Sequence, residues 1–436
     1  ANKKVNLYNI GANLILQEVY MNNYSILTAF GLNENQIKRV ESLSENGETI
    51  FFVELFANQR TCPKCKCTQC KIKEYKTKTI RSLNTGSNRT LIEYRLPRYV
   101  CPKCHTTYTH DLSLSNYKTL SKQALEYIIK DFSEMLTFSQ IAKKYNLSIT
   151  EVITLFDKFC PNVKRGLEEA ICIDEFSNTK KSIDKYACII VGFKSHKIID
   201  ILKNRTLPYL KEYMANLPLS HRDKVKYIIT DMYDGYITIA KLYFHNAIVA
   251  IDPFHYMEYL TNAVQNIRRK LLDSNEYLVD ASWMGKHWRL LTERISNYPK
   301  NNMTLISGQT ISYKDRVTQF VKQDSTLYYA YLTLQNFYAV LKSKDYEYAK
   351  TYIPFFINSL IKSGIPELIQ CAYTWQRYES YIINSFIKID GKRLSNGPVE
   401  GLNSRVKTLK KIYNGYKNKE RFYKRIILIV NKKGQA

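Results

Sequence analysis

Two apolar stretches of the sequence end on carboxylates. The run ICIDEF carries Asp174 and Glu175, and YIITD ends on Asp231. On an alternating strand Asp174 faces the same side as Cys172, which makes it a better site candidate than Glu175. Two aspartates on neighbouring strands repel each other in a partly dry site, and a divalent ion such as Mg²⁺ or Mn²⁺ relieves that repulsion. We therefore expect a metal site, with pairing to Arg or Lys as the alternative.

A third carboxylate, Glu400, lies early on a predicted helix. Pro398 suits the first turn of this helix, and Asn396 or Gly397 suits its cap. Helical spacing places several polar and basic residues on the face of Glu400, namely Asn403, Ser404, Lys407 and Lys411. Such lysines can bind phosphates while Glu400 binds metal. We interpret the basic tail as contacting a phosphate backbone through Lys407, Lys410 and Lys411, and a solvated charged helix is the alternative.

The cysteines indicate a second kind of metal site. Two Cys-Pro-Lys-Cys motifs, at Cys62/Cys65 and Cys101/Cys104, can together present four thiolates to one tetrahedral zinc ion. Strands such as RTLIEYRLPRYV would join the two motifs into a zinc ribbon that holds a basic hairpin against phosphates. We treat Cys67 and Cys70 as bystanders. His105 and His110 are alternative ligands, although exposed polar residues are the favoured interpretation of both.

A helix-turn-helix is predicted over residues 138–159. Its apolar residues recur at helical spacing on both sides of a short turn, and Ser148 with Glu151 forms a capping box at the second helix. Another helix is predicted near 125–135, and Thr150 is a candidate DNA contact. The alternative is a small helical bundle without a DNA-binding role.

The region that contains the carboxylates predicts an α/β fold. Three strand-like runs from residue 170 are followed by helix, strand, helix and strand, which indicates a mixed sheet. Asp234 resembles the N-cap of the helix after Asp231. Residues 256–390 have a mainly helical pattern without a glycine-rich loop.

Composition favours a nucleic-acid partner. The 436 residues hold 65 Lys and Arg against 39 Asp and Glu, a formal net charge of +26. Residues 60–105 carry twelve basic against two acidic residues, and residues 405–436 carry eleven against one. Clustered basic charge indicates a polyanion such as DNA. No membrane-length apolar run and no signal-peptide core are visible, so we expect a cytoplasmic protein.

The combined motifs resemble the ISL-three family of bacterial insertion-sequence transposases over nearly the whole chain. The matching pieces are the paired CPKC motifs, the helix-turn-helix, IDEFS, TDMYDGY, IDPFH and NGPVEGLNSRVKTLKKIYNGY. The resemblance implies a ribonuclease-H-like domain with a catalytic triad of Asp174, Asp231 and Glu400. It also implies a helical insertion that Asp252 and His255 brace against the core, although His255 could instead contact phosphate.

The resulting fold class is multidomain α/β: a ribonuclease-H-like mixed sheet with a helical insertion, preceded by zinc-ribbon and helix-turn-helix DNA-binding domains. The expected boundaries are, in order, an N-terminal segment at 1–55, the zinc ribbon at 56–112, the helix-turn-helix domain at 113–165, the first part of the catalytic core at 166–255, the helical insertion at 256–390, and the final core helix with its basic tail at 391–436.

The expected activity is metal-dependent DNA cleavage and strand transfer. Two Mg²⁺ ions at the triad would activate water to nick the element end and then activate the 3′-OH to attack target DNA. A homodimer is expected because two terminal inverted repeats must be held together. Ordinary packing is favoured for all three tryptophans, although one could stack on an unpaired base; these are Trp283, Trp288 and Trp375. The alternatives are a non-catalytic DNA-binding regulator and a ribonuclease-H-like nuclease or resolvase.

Overall fold

The structure, a computed structural model, forms two compact units, residues 1–162 and 163–436. It describes residues 37–56, 60–84, 86, 88–109, 115–117, 119–178, 185–274, 278–305, 308–413 and 418–432. Most of the predicted N-terminal segment and His110 lie outside the described residues.

The first unit contains a sheet of seven strands. Their order is β1-β2-β4-β3-β7-β6, and β5 pairs with β4. β3 and β4 form a long antiparallel ladder, with Lys71 opposite Val100, that joins the two Cys-Pro-Lys-Cys motifs. The strands are β1 (Ile37–Glu45), β2 (Glu48–Leu55), β3 (Lys71–Arg81), β4 (Arg89–Val100), β5 (Thr107–Thr109), β6 (Ser115–Tyr117) and β7 (Leu120–Ser121).

Three helices follow in the first unit: α1 (Lys122–Asp131), α2 (Phe138–Tyr145) and α3 (Ile149–Phe159). Both α2 and α3 begin with capping boxes, and α3 has the predicted one between Ser148 and Glu151. Asn146, in the left-handed conformation, ends α2 and allows the tight turn. Edge-on packing of Phe132 and Phe156, with ring centroids 5.2 Å apart, holds α1 against α3.

A five-stranded mixed sheet forms the centre of the second unit, in the order β10-β9-β8-β11-β12. β8, β9 and β10 are antiparallel, whereas β8, β11 and β12 are parallel. These five strands are almost wholly apolar and buried, as expected of a sheet covered on both faces. The predicted mixed α/β organisation is confirmed. The strands are β8 (Ala170–Ser177), β9 (Tyr186–Gly192), β10 (Ile198–Leu202), β11 (Tyr227–Thr230) and β12 (Ile248–Ile251).

The helices of this unit fall into three groups. Those between the strands are α4 (Leu207–Ala215), α5 (Leu219–Arg222) and α6 (Asp234–Tyr243). Those after the last strand are α7 (Pro253–Ser274), α8 (Ala281–Lys286), α9 (Tyr313–Val321), α10 (Ser325–Ser343), α11 (Tyr346–Lys362), α12 (Pro366–Arg377) and α13 (Glu379–Asn384). The final pair is α14 (Gly397–Ile412) and α15 (Lys419–Lys432).

The helices from α7 to α13 have their own apolar core. Trp375 is fully buried there, and its indole N–H donates to the Tyr256 carbonyl at 3.0 Å. Two short hairpins accompany these helices: β13 (Asn302–Thr304) with β14 (Thr310–Ser312), and β15 (Lys388–Ile389) with β16 (Lys392–Arg393). Two 3₁₀ segments, Trp288–Leu291 and Ile295–Asn297, complete the region. No helix in the described ranges combines the length and the apolar character needed to cross a bilayer.

The prediction that Asp234 caps α6 is wrong. Tyr233 is the N-cap, and Asp234 is the first helical residue. Its carboxylate instead accepts hydrogen bonds from Arg377 at 2.5 Å and from the Tyr378 hydroxyl at 2.8 Å. Asp234 therefore ties α6 to α12, a long-range contact that a local capping pattern does not contain.

Candidate active site and metal centre

Three aspartates form a row across the parallel strands of the second unit. The β8–β11 register pairs Ile173 with Thr230, and the β11–β12 register pairs Thr230 with Ile251. The next residues along the three strands are Asp174, Asp231 and Asp252. Carboxyl ends of parallel strands meet at one edge of a sheet, and this is where open α/β sheets bind ligands.

These aspartates lie in an environment that disfavours their charge. Burial raises the pKa of Asp174 to about 6, with Asp231 and Asp252 adding to the shift, although the Glu175 N–H donates to its Oδ1 at 2.7 Å. Burial also raises the pKa of Asp231, whose Oδ1 accepts from the Tyr233 N–H at 2.9 Å. Like charges held together in a dry site favour a bound cation.

Glu175 forms an ion pair with a basic residue, which was the alternative to metal binding in the sequence analysis. Its carboxylate pairs with Arg205, whose guanidinium lies 4.6 Å from the ring centre of Tyr186 and 4.8 Å from that of Tyr233. Asp174 makes no such pair in the described part of the chain; its Oδ2 accepts a hydrogen bond from the Asn403 amide of α14 at 3.4 Å. Arg205 was missed by the sequence analysis, because nothing in its local pattern places it beside this row.

Asp252 fixes the start of the helix that carries Glu400. Its Oδ1 accepts from the backbone N–H of Asn396, the N-cap of α14, at 2.8 Å. The Cys172 thiol, one pleat before Asp174, donates to the Ser395 carbonyl at 3.7 Å. These contacts dock the start of α14 on the sheet, and Glu400 follows in its first turn. Glu400 is exposed. Burial is the main cause that raises the pKa of Asp252, and the charge of Glu400 adds to it.

The three carboxylates predicted as a triad do not form one tight cluster. Within the described ranges, sets of three or more His, Cys, Asp or Glu ligand atoms all within 4.8 Å of one another consist only of cysteines. Asp174 and Asp231 directly follow paired positions on neighbouring strands, whereas Glu400 is on α14, whose start is anchored to Asp252.

Two amide side chains near the aspartates have buried polar atoms without partners. The Oδ1 of Asn403 and both side-chain polar atoms of Asn396 are buried and form no hydrogen bond. Asn396 is 1% exposed. A buried amide left without a partner costs about 1–3 kcal/mol, so such atoms are usually satisfied by water or a ligand. Asn396 is the N-cap of the Glu400 helix and Asn403 lies in its second turn, next to Asp252 and Asp174 respectively.

His255 lies on the first turn of α7, between the aspartates and the helical region. Burial raises the pKa of Asp174, Asp231 and Asp252, and the charge of His255 would counteract that rise at each of them. The neighbouring Phe254 is 62% exposed, and its ring lies edge-on to His255 with centroids 5.6 Å apart.

The predicted DNA contacts differ in how available they are. Lys407 and Lys411 on α14 and Thr150 on α3 are exposed. Lys410 instead donates to the Ser177 carbonyl and lies 4.6 Å from the Phe176 ring centre. Burial lowers its pKa to about 8.

The four predicted zinc ligands of the first unit lie together. The Sγ atoms of Cys62 and Cys104 are 3.6 Å apart, and those of Cys65 and Cys101 are 3.4 Å apart. Four sulfurs about 2.3 Å from one zinc ion are roughly 3.8 Å from each other, so the cluster needs little adjustment to hold the metal. His105 is exposed and does not belong to this set.

Of the three tryptophans, Trp375 is fully buried and packs in the core, which is the role that the sequence analysis favoured. Trp283 stacks on His287 at 4.8 Å and under the Arg316 guanidinium at 4.3 Å. Trp288 is the most exposed, at 40%.

Comparison with protein families agrees with these two regions. The model of the ISL3 transposase family, described as "Transposase", matches residues 171–426, and one described as "zinc-finger of transposase IS204/IS1001/IS1096/IS1165" matches residues 58–104. The first match spans more than half of the chain, so this protein belongs to the ISL3 transposase family. The family prediction and the zinc-ribbon prediction are thereby confirmed. Comparison with curated proteins gives no match.

Proposed function

We propose that this protein binds the terminal inverted repeats of its insertion sequence and catalyses metal-dependent cleavage and strand transfer of DNA. The observation that carries the proposal is the row of Asp174 and Asp231 on neighbouring parallel strands, with the Glu400 helix anchored to the same row through Asp252. The 171–426 match to a transposase family encloses all of these residues.

The proposed fold of the second unit is ribonuclease-H-like with a helical insertion. It is supported by the mixed sheet, antiparallel on one side of β8 and parallel on the other, with helices crossing between the parallel strands. The helices between β12 and α14 would be the insertion. Asp252 would brace it, because this residue lies between β12 and α7 and also binds the start of α14.

Asp174, Asp231 and Glu400 are the proposed holders of two Mg²⁺ or Mn²⁺ ions. Ions bound there would supply Lewis-acid polarisation of the scissile phosphate and a lowered pKa for the attacking water or 3′-OH. Because burial raises the pKa of Asp174 to about 6, ion binding there should weaken below that pH, where the carboxylate becomes protonated. The Glu175–Arg205 pair keeps a further carboxylate of β8 out of the metal site.

The proposed DNA contacts lie in both units. Lys407 and Lys411 would bind phosphates beside the active site, whereas Lys410 contributes less because it is held by Ser177. In the first unit, α2 and α3 would act as the helix-turn-helix, with Thr150 near the start of its second helix. The zinc ribbon would keep the basic β3–β4 ladder in place.

The direct test incubates the full chain with its element ends, Mg²⁺ or Mn²⁺, and a target plasmid. We expect nicked ends and joined products from the wild type, and neither product from Asp174→Asn, Asp231→Asn or Glu400→Gln, all of which should still bind the ends. Asp223→Asn, which removes a charge from an exposed residue of the same unit, is the matched control.

The products separate the proposal from its two alternatives. Sequence-specific binding without cleavage under any metal condition would indicate a DNA-binding regulator. Cleavage without joining would indicate a nuclease or resolvase. Full-rate cleavage by all three carboxylate variants would remove the proposed triad. The proposed homodimer is tested by measuring the mass of the protein–DNA complex. A homodimer predicts a complex of two chains with two element ends.

A further inference from the structure

Two cysteines of the zinc-ribbon region are not used by the four-thiol set. Cys67 is half-buried and Cys70 is 1% exposed. With Cys101 they form a second set of three sulfurs, all within 4.8 Å of one another. Cys101 belongs to both sets and is fully buried. The six sulfurs thus form one continuous cluster with a shared central thiol.

The backbone explains why Cys67 points at this cluster. Both Cys-Pro-Lys-Cys motifs fold alike: the Cys62 N–H donates to the Cys67 carbonyl at 2.8 Å, and the Cys101 N–H donates to the Thr106 carbonyl at 3.0 Å. Cys67 and Thr106 are therefore equivalent positions. The Thr106 hydroxyl lies 3.4 Å from the Cys104 sulfur, where it supports a ligand by hydrogen bonding. At the same place the first motif carries a thiol, which can itself be a ligand.

We propose that Cys67, Cys70 and Cys101 bind a second zinc ion, with the Cys101 thiolate bridging the two metals and a water completing the second site. Three thiolates and one open position form an ordinary tetrahedral zinc environment. The second ion would be bound by Cys67 and Cys70, the two nearby thiols that are not ligands of the four-cysteine site.

The charge balance favours this arrangement. One Zn²⁺ with four thiolates carries a net charge of −2, and two Zn²⁺ with six thiolates also carry −2. The second ion therefore adds no net charge to the buried cluster, although it brings in two more thiolates. The surrounding residues 60–105, with twelve basic and two acidic side chains, suit a cluster of that sign.

Metal counting on the purified full chain tests the proposal. After removal of loosely bound metal with a weak chelator, elemental analysis should give two zinc ions per chain. The Cys67→Ser/Cys70→Ser variant should retain one, and Cys371→Ala, which removes a buried thiol of the other unit, should retain two. One ion per wild-type chain would overturn the proposal, and that result stands even if the double variant fails to fold.

A spectroscopic readout tests the bridge itself. The chain reconstituted with ¹¹³Cd²⁺ should give two resonances at shifts typical of thiolate ligands, split by coupling through the shared sulfur. Two resonances without coupling would overturn the bridging role of Cys101, and a single resonance would overturn the second site. Neither outcome depends on whether the protein cleaves DNA.

Discussion

Replacing Asp174 by Asn should make the metal-free protein more stable while it abolishes catalysis. The pKa of Asp174 rises from its ordinary 3.8 to about 6 in the folded state. A tenfold change in a protonation equilibrium is worth about 1.4 kcal/mol, so ionised Asp174 costs the fold about 3 kcal/mol at pH 7. The neutral amide removes this cost and can still accept the hydrogen bond from the Glu175 N–H.

The stability that Asp174→Asn is predicted to gain over the wild type should increase as the pH rises. A carboxylate whose folded pKa is raised is unfavourable only when ionised, so its cost is absent below pH 3.8, grows between pH 3.8 and 6, and is complete above that. The stability difference between Asp174→Asn and the wild type should therefore be close to zero near pH 4 and approach about 3 kcal/mol at pH 7.

The assay is denaturant unfolding followed by tryptophan fluorescence in the presence of a chelator. All three tryptophans of the chain lie beyond residue 163, so the signal reports the second unit. When Mg²⁺ is added in excess over the chelator, it should stabilise the wild type and leave Asp174→Asn unchanged, because only the wild type retains the full ligand set. Asp223→Asn should stay within about 0.5 kcal/mol of the wild type. A variant that is less stable than the wild type at pH 7 would refute the assignment of Asp174 as a strained, uncompensated carboxylate.

Three further changes have defined outcomes. Arg205→Met should destabilise the second unit by about 2 kcal/mol, because it leaves Glu175 half-buried without its cation, and adding Glu175→Gln should recover most of the loss in the same fluorescence assay. Cys101→Ser should release all bound zinc in elemental analysis, since this sulfur lies in both thiol sets; retained zinc would contradict that geometry. Lys407→Gln with Lys411→Gln should weaken binding to all DNA sequences and reduce the slope of log affinity against log salt by about 2, and an unchanged slope would exclude phosphate contacts there.

Local sequence patterns were sufficient to predict the strands and helices around the site. They were also sufficient to predict that Asp174 and Asp231 lie at the ends of neighbouring strands. The runs that end on Asp174 and Asp231 form neighbouring parallel strands, and the capping box at Ser148 is present where expected. Each of these features depends on residues within a few positions of each other, and period and cap chemistry are local properties. Asp234 shows the limit: its sequence suits a cap, but a hydrogen bond to α12, more than 140 positions away, decided its role.

The sequence alone determined the ligand types, the basic character and the order of strands and helices, because these follow from side-chain chemistry and short-range periodicity. Only the tertiary structure decided which groups meet: Arg205 with Glu175, Asp252 with the start of the Glu400 helix, and Cys101 with both thiol sets. Those pairings depend on strand register and helix docking, which are set by the packing of the whole core. The local sequence around each residue therefore does not predict them.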